Sequence, residues 1–148
     1  IAAGGIWDKN DIEEMMALGA NGVQMGTRFI GTHECDADDK FKQVLLDAKE
    51  GDIELMSSPV GYPAQGVRTN LINMVEKREG PAIKCISNCV APCKRGEEAK
   101  VVGFCIADRL GDAYMGNLET GLFFSGTNGY RLNEIISVKE LMDKLTEG

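Results

Sequence analysis

The sequence predicts an α/β fold, and three features carry that expectation. An apolar run at residues 1–3 ends in Gly4 and Gly5, a helical pattern follows, and a second apolar run, "GVQMG", starts about twenty residues after the first. Two apolar strands joined by one short helix make a compact parallel β-α-β unit, whose sheet needs helices to cover it. Beyond this unit the chain turns to glycine-punctuated loops and short amphipathic helices, with no six further strands to close a sheet. Two architectures meet that pattern. One is a small α+β domain. The other is the C-terminal part of a β/α (TIM-type) barrel followed by a loop-rich, partly helical C-terminal extension.

Each element has a local cause. Asp8 is placed as an N-cap, with Asp11 three residues on as a short capping box. Ile12, Met15, Met16 and Leu18 then repeat at helical spacing up to Gly19, a C-cap. In "DADDKFKQVLLDAKEGD", Asp36 or Asp38 caps a second helix with Phe41, Val44, Leu45 and Ala48 on its apolar face, and Gly51 stops it. "IELMSSPVGYPAQGVRTN" is broken by two prolines and two glycines, so it reads as extended segments and turns. "LINMVEKRE" is a short helix, and residues 80–103 are loop-rich. "FCIADRLGDAYMG" resumes helical spacing through Ile106, Leu110 and Ala113. "LETGLFFSGTNGYRLNEIIS" is punctuated by glycine, and "VKELMDKLTE" is a last helix. The expected division is two barrel strands in residues 1–34 and the extension in residues 35–148.

Composition removes several function classes. With 148 residues, 43% of them hydrophobic, the chain is one domain's worth and buries a modest core. Its formal net charge is −7, and Lys94, Arg95 and Lys100 form no basic stripe, which argues against nucleic acid or an anionic membrane as partner. No apolar run approaches the ~18 residues of a membrane span. Residue 1 is not methionine, so a processed chain or a piece of a longer protein is expected. The absence of a signal-peptide pattern before it points to the cytoplasm. Five cysteines, an odd number, are expected to be reduced thiols.

The glycine turns favour the second architecture. Loops after the last two strands of a β/α barrel often build a phosphate site, because freed backbone N–H groups converge on an anion that no side chain keeps away. Gly4-Gly5 and Gly26-Thr27 close successive strands, and the Thr27 hydroxyl adds a donor. The stretch "AAGGIWDKNDIEEMMALGANGVQMGTRFIGTHEC" resembles the nitronate monooxygenase family, once called 2-nitropropane dioxygenases, which includes FMN-dependent enoyl-ACP reductases. "SPVGYPAQGVRTN" and "GLFFSGTNGYR…SVKELMDKL" resemble the C-terminal portion of the same family. The resemblance implies a flavin-binding β/α barrel. In it, Gly4 and Gly5 sit at the FMN phosphate, and Gln24, Met25, Gly26 and Thr27 form the flavin-binding "QMGT" run. A small-molecule substrate is implied, such as an alkyl nitronate oxidised at the expense of O₂, or an enoyl-ACP reduced with NAD(P)H.

The same resemblance shows what is missing. The family's base histidine lies in a "GGH-G" segment ahead of these strands, and this chain has no such segment. Its only histidine, His33, follows the last strand and reads as a loop residue, so the catalytic base is unassigned. A reading of another class follows: a non-catalytic, phosphate-binding half-barrel that pairs its exposed first strand with a second copy or with an N-terminal half. Cys85, Cys89, Cys93 and Cys105 are spaced so that a four-thiolate zinc or iron–sulfur site is conceivable, beside a redox pair or plain thiols. Cys35 follows Glu34, whose charge opposes thiolate formation. "SSPVGYPAQGVRTN" is a candidate lid, in which Arg68 would meet an anionic group and Tyr62 stack on a ring, with plain surface structure as the simpler account. The Ser-Gly-Thr-Asn-Gly turn of "FFSGTNGYR" could also reach the cofactor, but is expected mainly to dock back onto the barrel.

Overall fold

The computed structural model describes residues 1–83, 85, 89, 93 and 103–146. It opens with the expected unit: β1 (Ala2–Ala3) and β2 (Val23–Gln24) pair in parallel, with Ala2 opposite Val23 and Ala3 opposite Gln24. The crossover is α1 (Lys9–Ala17), whose start is fixed by a reciprocal capping box. The Asp11 N–H donates to Asp8 Oδ1 at 3.1 Å, while Asp11 Oδ2 accepts from the N–H groups of Asp8 (3.2 Å) and Trp7 (2.8 Å). Gly19, at φ +98°, reverses the chain toward β2.

The apolar face expected for α1 is covered only in part. No α1 residue is fully buried, and Met16 and Leu18 stay exposed. Ile12 alone of that set joins a cluster, with Met25 and Phe29, against Ile136, Leu141 and Leu145. The last two leucines belong to α6 (Val138–Thr146), so the C-terminal helix covers the opening unit.

Between these ends lie α2 (Thr27–Ile30) and α3 (Asp39–Asp47). Asp38 rather than Asp36 caps α3, accepting from the Lys40 N–H at 2.8 Å. The proline-interrupted stretch becomes an antiparallel hairpin, β3 (Ile53–Met56) and β4 (Ala64–Val67), with both prolines in its connection. Residues 123–125 run beside β4: the Val67 N–H donates to the Phe123 carbonyl at 2.9 Å and the Ser125 N–H to the Gln65 carbonyl at 3.2 Å. Gly66 makes this possible, since a methyl there would overlap the Phe123 carbonyl. The helices α4 (Asn70–Glu76) and α5 (Ile106–Tyr114) and a 3-10 turn (Gly129–Arg131) complete the described elements.

The largest core cluster joins distant parts of the sequence. Trp7 from the opening unit is buried with Leu45 of α3, Val67 of β4, Ala113 of α5, Phe123 and Leu132. Phe41 meets the Phe123 ring edge-on, with centroids 5.0 Å apart and planes at 88°. A second cluster holds Leu71, Ile72, Phe104 and Leu122. The architecture is α/β with two short sheets, and these strands do not close a barrel among the described residues. No described helix is long and apolar enough to cross a membrane.

Candidate functional site: an anion cradle at the ends of two parallel strands

Because β1 and β2 are neighbours in register, the turns that follow them emerge side by side. Past Ala3 the chain leaves the ladder through Gly4 at φ +86° and Gly5 at φ +72°, a backbone path that side chains disfavour. Past Gln24 it passes Met25 and Gly26 into α2, which starts at Thr27. All six residues expected to bind the flavin, Gly4, Gly5, Gln24, Met25, Gly26 and Thr27, line one cavity of about 50 Å³. A Cβ built on Gly4, Gly5 or Gly26 would meet no atom within 4 Å. The space beside these glycines is therefore open to a ligand rather than filled by the fold.

Three further residues contribute, of which sequence reasoning missed one and gave the other two only as a secondary role of their turn. The first is Arg28, only 9% exposed, whose guanidinium lies over the Trp7 ring at 5.1 Å. Its Nη1 is buried with no hydrogen-bond partner among the described residues. Burial pushes the guanidinium below the ordinary arginine value, and Glu134 only partly offsets this. A buried, incompletely satisfied cation at the cavity wall suits an anion. The signal was in the sequence: a charged residue standing directly after the Gly-Thr of an apolar run.

The second and third are Gly126 and Asn128, from the turn expected mainly to dock back. It does dock. The Gly126 N–H donates to Thr27 Oγ1 at 2.7 Å, and Asn128 Nδ2 donates to the Gly5 carbonyl at 2.5 Å. Both residues also line the cavity. Just behind, Arg131 pairs with Asp8 (2.5 Å) and Asp11 (3.1 Å), tying the same C-terminal stretch to the start of α1. The Asp8 carboxyl is held below the ordinary 3.8 by the Asp11 backbone N–H and then by Arg131, against an opposing desolvation.

The remaining candidates lie elsewhere. His33 is exposed and does not line the cavity. Arg68 of the candidate lid is engaged by Glu54 (2.9 Å), Glu76 (2.5 Å) and Asn73 (3.0 Å), which raises its pKa through Glu76 first and Glu54 second. Its charge is spent on the surface beside the β3–β4 hairpin, and Tyr62 is exposed, as the simpler account of the lid expects. The four-thiolate site at Cys85, Cys89, Cys93 and Cys105 is not assembled. All carry free thiols, and among the described residues no three His, Cys, Asp or Glu side chains converge as a metal site requires. Cys105 stands at the start of α5, half-buried, while Cys85 is exposed.

Comparison with known proteins shows the family and the fold. The family model for nitronate monooxygenase matches residues 1–148. A probable nitronate monooxygenase of Staphylococcus haemolyticus is 38% identical over 80 residues, and one of Staphylococcus saprophyticus is 36% identical over 77. These alignments cover 54% and 52% of this chain and 22% of each relative, so the match spans about a fifth of those proteins. Among solved structures, FabK from Thermotoga maritima superposes with a TM-score of 0.74 at 30% identity, over 97% of this chain and 42% of that one. A nitroalkane oxidase from Streptomyces ansochromogenes shares the fold, with a TM-score of 0.68 at 24% identity, over 97% of this chain and 37% of its own. Matched by the family model from its first residue to its last, the chain belongs to the nitronate monooxygenase family.

Proposed function

We propose that this chain supplies the phosphate-binding end of an FMN site in an oxidoreductase that oxidises alkyl nitronates with O₂. The observation that carries the reading is the convergence of two glycine turns, from adjacent parallel strands, on one cavity. Backbone amides at Gly4, Gly5 and Gly26 offer donors without side chains in the way, and Thr27 offers a hydroxyl. The Thr27 oxygen already accepts from Gly126, which leaves its own proton free to donate. Arg28 contributes positive charge at the cavity wall, less screened than in water because its own side chain is buried. FMN held by Gly4, Gly5, Gly26, Thr27 and Arg28 would supply the redox chemistry between an alkyl nitronate and O₂.

This chain's own part is to bind and orient. Among the described cavity-lining residues none is a histidine, carboxylate or lysine, so proton transfer is not assigned to any of them. The five free thiols suit a reducing compartment, and we place the activity in the cytoplasm. The phosphate-binding end equally serves the second activity within the family, enoyl-ACP reduction with NAD(P)H as hydride source.

The test is in two steps. Titration of the chain with FMN, followed by flavin fluorescence, is expected to show saturable binding that riboflavin, lacking the phosphate, does not match. Anaerobic reduction of the flavin in the whole protein then separates the activities. Bleaching by propyl-1-nitronate supports the nitronate reading, bleaching by NAD(P)H the reductase reading, and bleaching by neither refutes both.

A further inference from the structure

The 125–129 turn stands about a hundred residues from the strands it touches, yet it contributes Gly126, Asn128 and Gly129 to the cavity wall. It is a built element. The Ser125 N–H is paired with β4 at Gln65, Gln65 Nε2 donates to Thr127 Oγ1 at 3.0 Å, and the Gly129 N–H closes the turn on the Gly126 carbonyl at 2.9 Å. Gly129 has no room for a side chain, since a methyl would overlap the Ser125 hydroxyl and press on Ile53 and Thr27.

From this frame two hydrogen bonds reach the glycine turns, one to each. Asn128 Nδ2 takes the Gly5 carbonyl, and the Gly126 N–H takes the Thr27 hydroxyl oxygen. Both receivers are oxygens at the rim of a cavity suited to an anion, and an unpaired oxygen there would repel one. Donating to them occupies that negative density. It also fixes the positive-φ turn, which has no side chains of its own to hold it.

Resting on the FMN reading above, we propose that the 125–129 turn is the third wall of the phosphate cradle, with Asn128 as a positioning residue acting through the Gly5 carbonyl. The opening unit is then incomplete as a phosphate site until the C-terminal stretch docks on it. Two glycine turns supply donors, and a third turn sets their geometry.

The experiment compares FMN with riboflavin in the full chain carrying Asn128→Ala or Asn128→Asp. Loss of one hydrogen bond at the turn is expected to weaken FMN about three- to tenfold in Asn128→Ala. Asn128→Asp, which keeps the shape but sets a carboxylate against the Gly5 carbonyl and the phosphate, weakens FMN further. Riboflavin affinity is expected to stay within twofold in both, so the FMN-to-riboflavin ratio falls. A merely structural role would lower both flavins together, and that result overturns the proposal, as does an unchanged ratio in both variants. Should Asn128→Ala not fold, the near-isosteric Asn128→Asp gives the same readout, a lowered FMN-to-riboflavin ratio. If the parent chain prefers FMN no more than riboflavin, the FMN reading itself fails, and this inference falls with it.

Discussion

Gly26→Ala isolates the claim on which the functional reading rests. Gly26 has φ −112° and ψ −68°, a conformation alanine can adopt, and an added Cβ meets no atom within 4 Å. The substitution therefore introduces neither strain nor a clash. Two small effects remain on the flavin-free protein. Alanine is the poorer residue at the N-cap of α2, costing up to about 1 kcal/mol, and the stiffer unfolded chain returns roughly 0.4–1 kcal/mol. These nearly cancel, so the melting temperature should shift by less than about 4 °C. The methyl group stands at the wall of a cavity of about 50 Å³. Holding a phosphate away from even one amide forfeits a charge-assisted hydrogen bond of about 1.5–3 kcal/mol, or roughly ten- to 150-fold in FMN affinity. Differential scanning fluorimetry on the flavin-free protein and fluorescence titration with FMN give the two numbers. An unchanged melting temperature with unchanged FMN affinity would refute the idea that the turns clasp the phosphate. Gly5→Ala is the contrasting control: at φ +72° it carries about 1–2 kcal/mol of backbone strain, so stability and affinity fall together.

Three further outcomes are expected. The folded-state pKa of Asp8 is depressed, so its contribution to stability is complete above the unfolded value near 3.8 and is lost as pH falls through the lower folded value. Arg131→Met should accordingly destabilise the chain at pH 7, with the deficit against the parent shrinking below pH 3.8 in urea melts; a deficit constant with pH contradicts the ion pairs. Phe123→Ala removes a fully buried ring that Phe41 meets edge-on, and about 3–5 kcal/mol of unfolding free energy should go with it. A urea-melt loss under 1 kcal/mol would contradict that packing. His33→Ala alters an exposed side chain outside the cavity, so FMN affinity and the anaerobic rate of flavin reduction should both stay within twofold. A tenfold fall in either would bring His33 back as a site residue.

What could be read from the sequence was whatever a short stretch of chain decides by itself. The Asp8–Asp11 capping box, the reversal at Gly19, the Asp38 cap and the glycine turns depend on neighbours within four residues, and each formed as expected. The hairpin was legible only as extended chain with turns, because pairing of β3 with β4 depends on a register that prolines and glycines do not encode. Arg68 shows the limit for charge. As a letter in a glycine-rich stretch it is a free cation, whereas in the fold Glu54 and Glu76 come to it from β3 and α4 and neutralise it. Arg28 shows the reverse. In the sequence it is only a charged residue after a strand, whereas in the fold it is buried and stacked on Trp7, with its Nη1 unpartnered among the described residues.

The cradle explains why the two kinds of information separate so cleanly. A site that binds with backbone amides announces itself by absence, through glycines placed where side chains would obstruct, and so it is visible in a few consecutive letters. What gives such a site its geometry must come from outside those letters, because glycine holds nothing in place. Here the holding is done by Asn128 and Gly126, which reach Gly5 and Thr27 across 123 and 99 residues of chain. Their frame is set in turn by β4 and by the packing of Phe123 in the shared core. Loosening that distant frame should therefore cost phosphate recognition even where every residue of the glycine turns is intact.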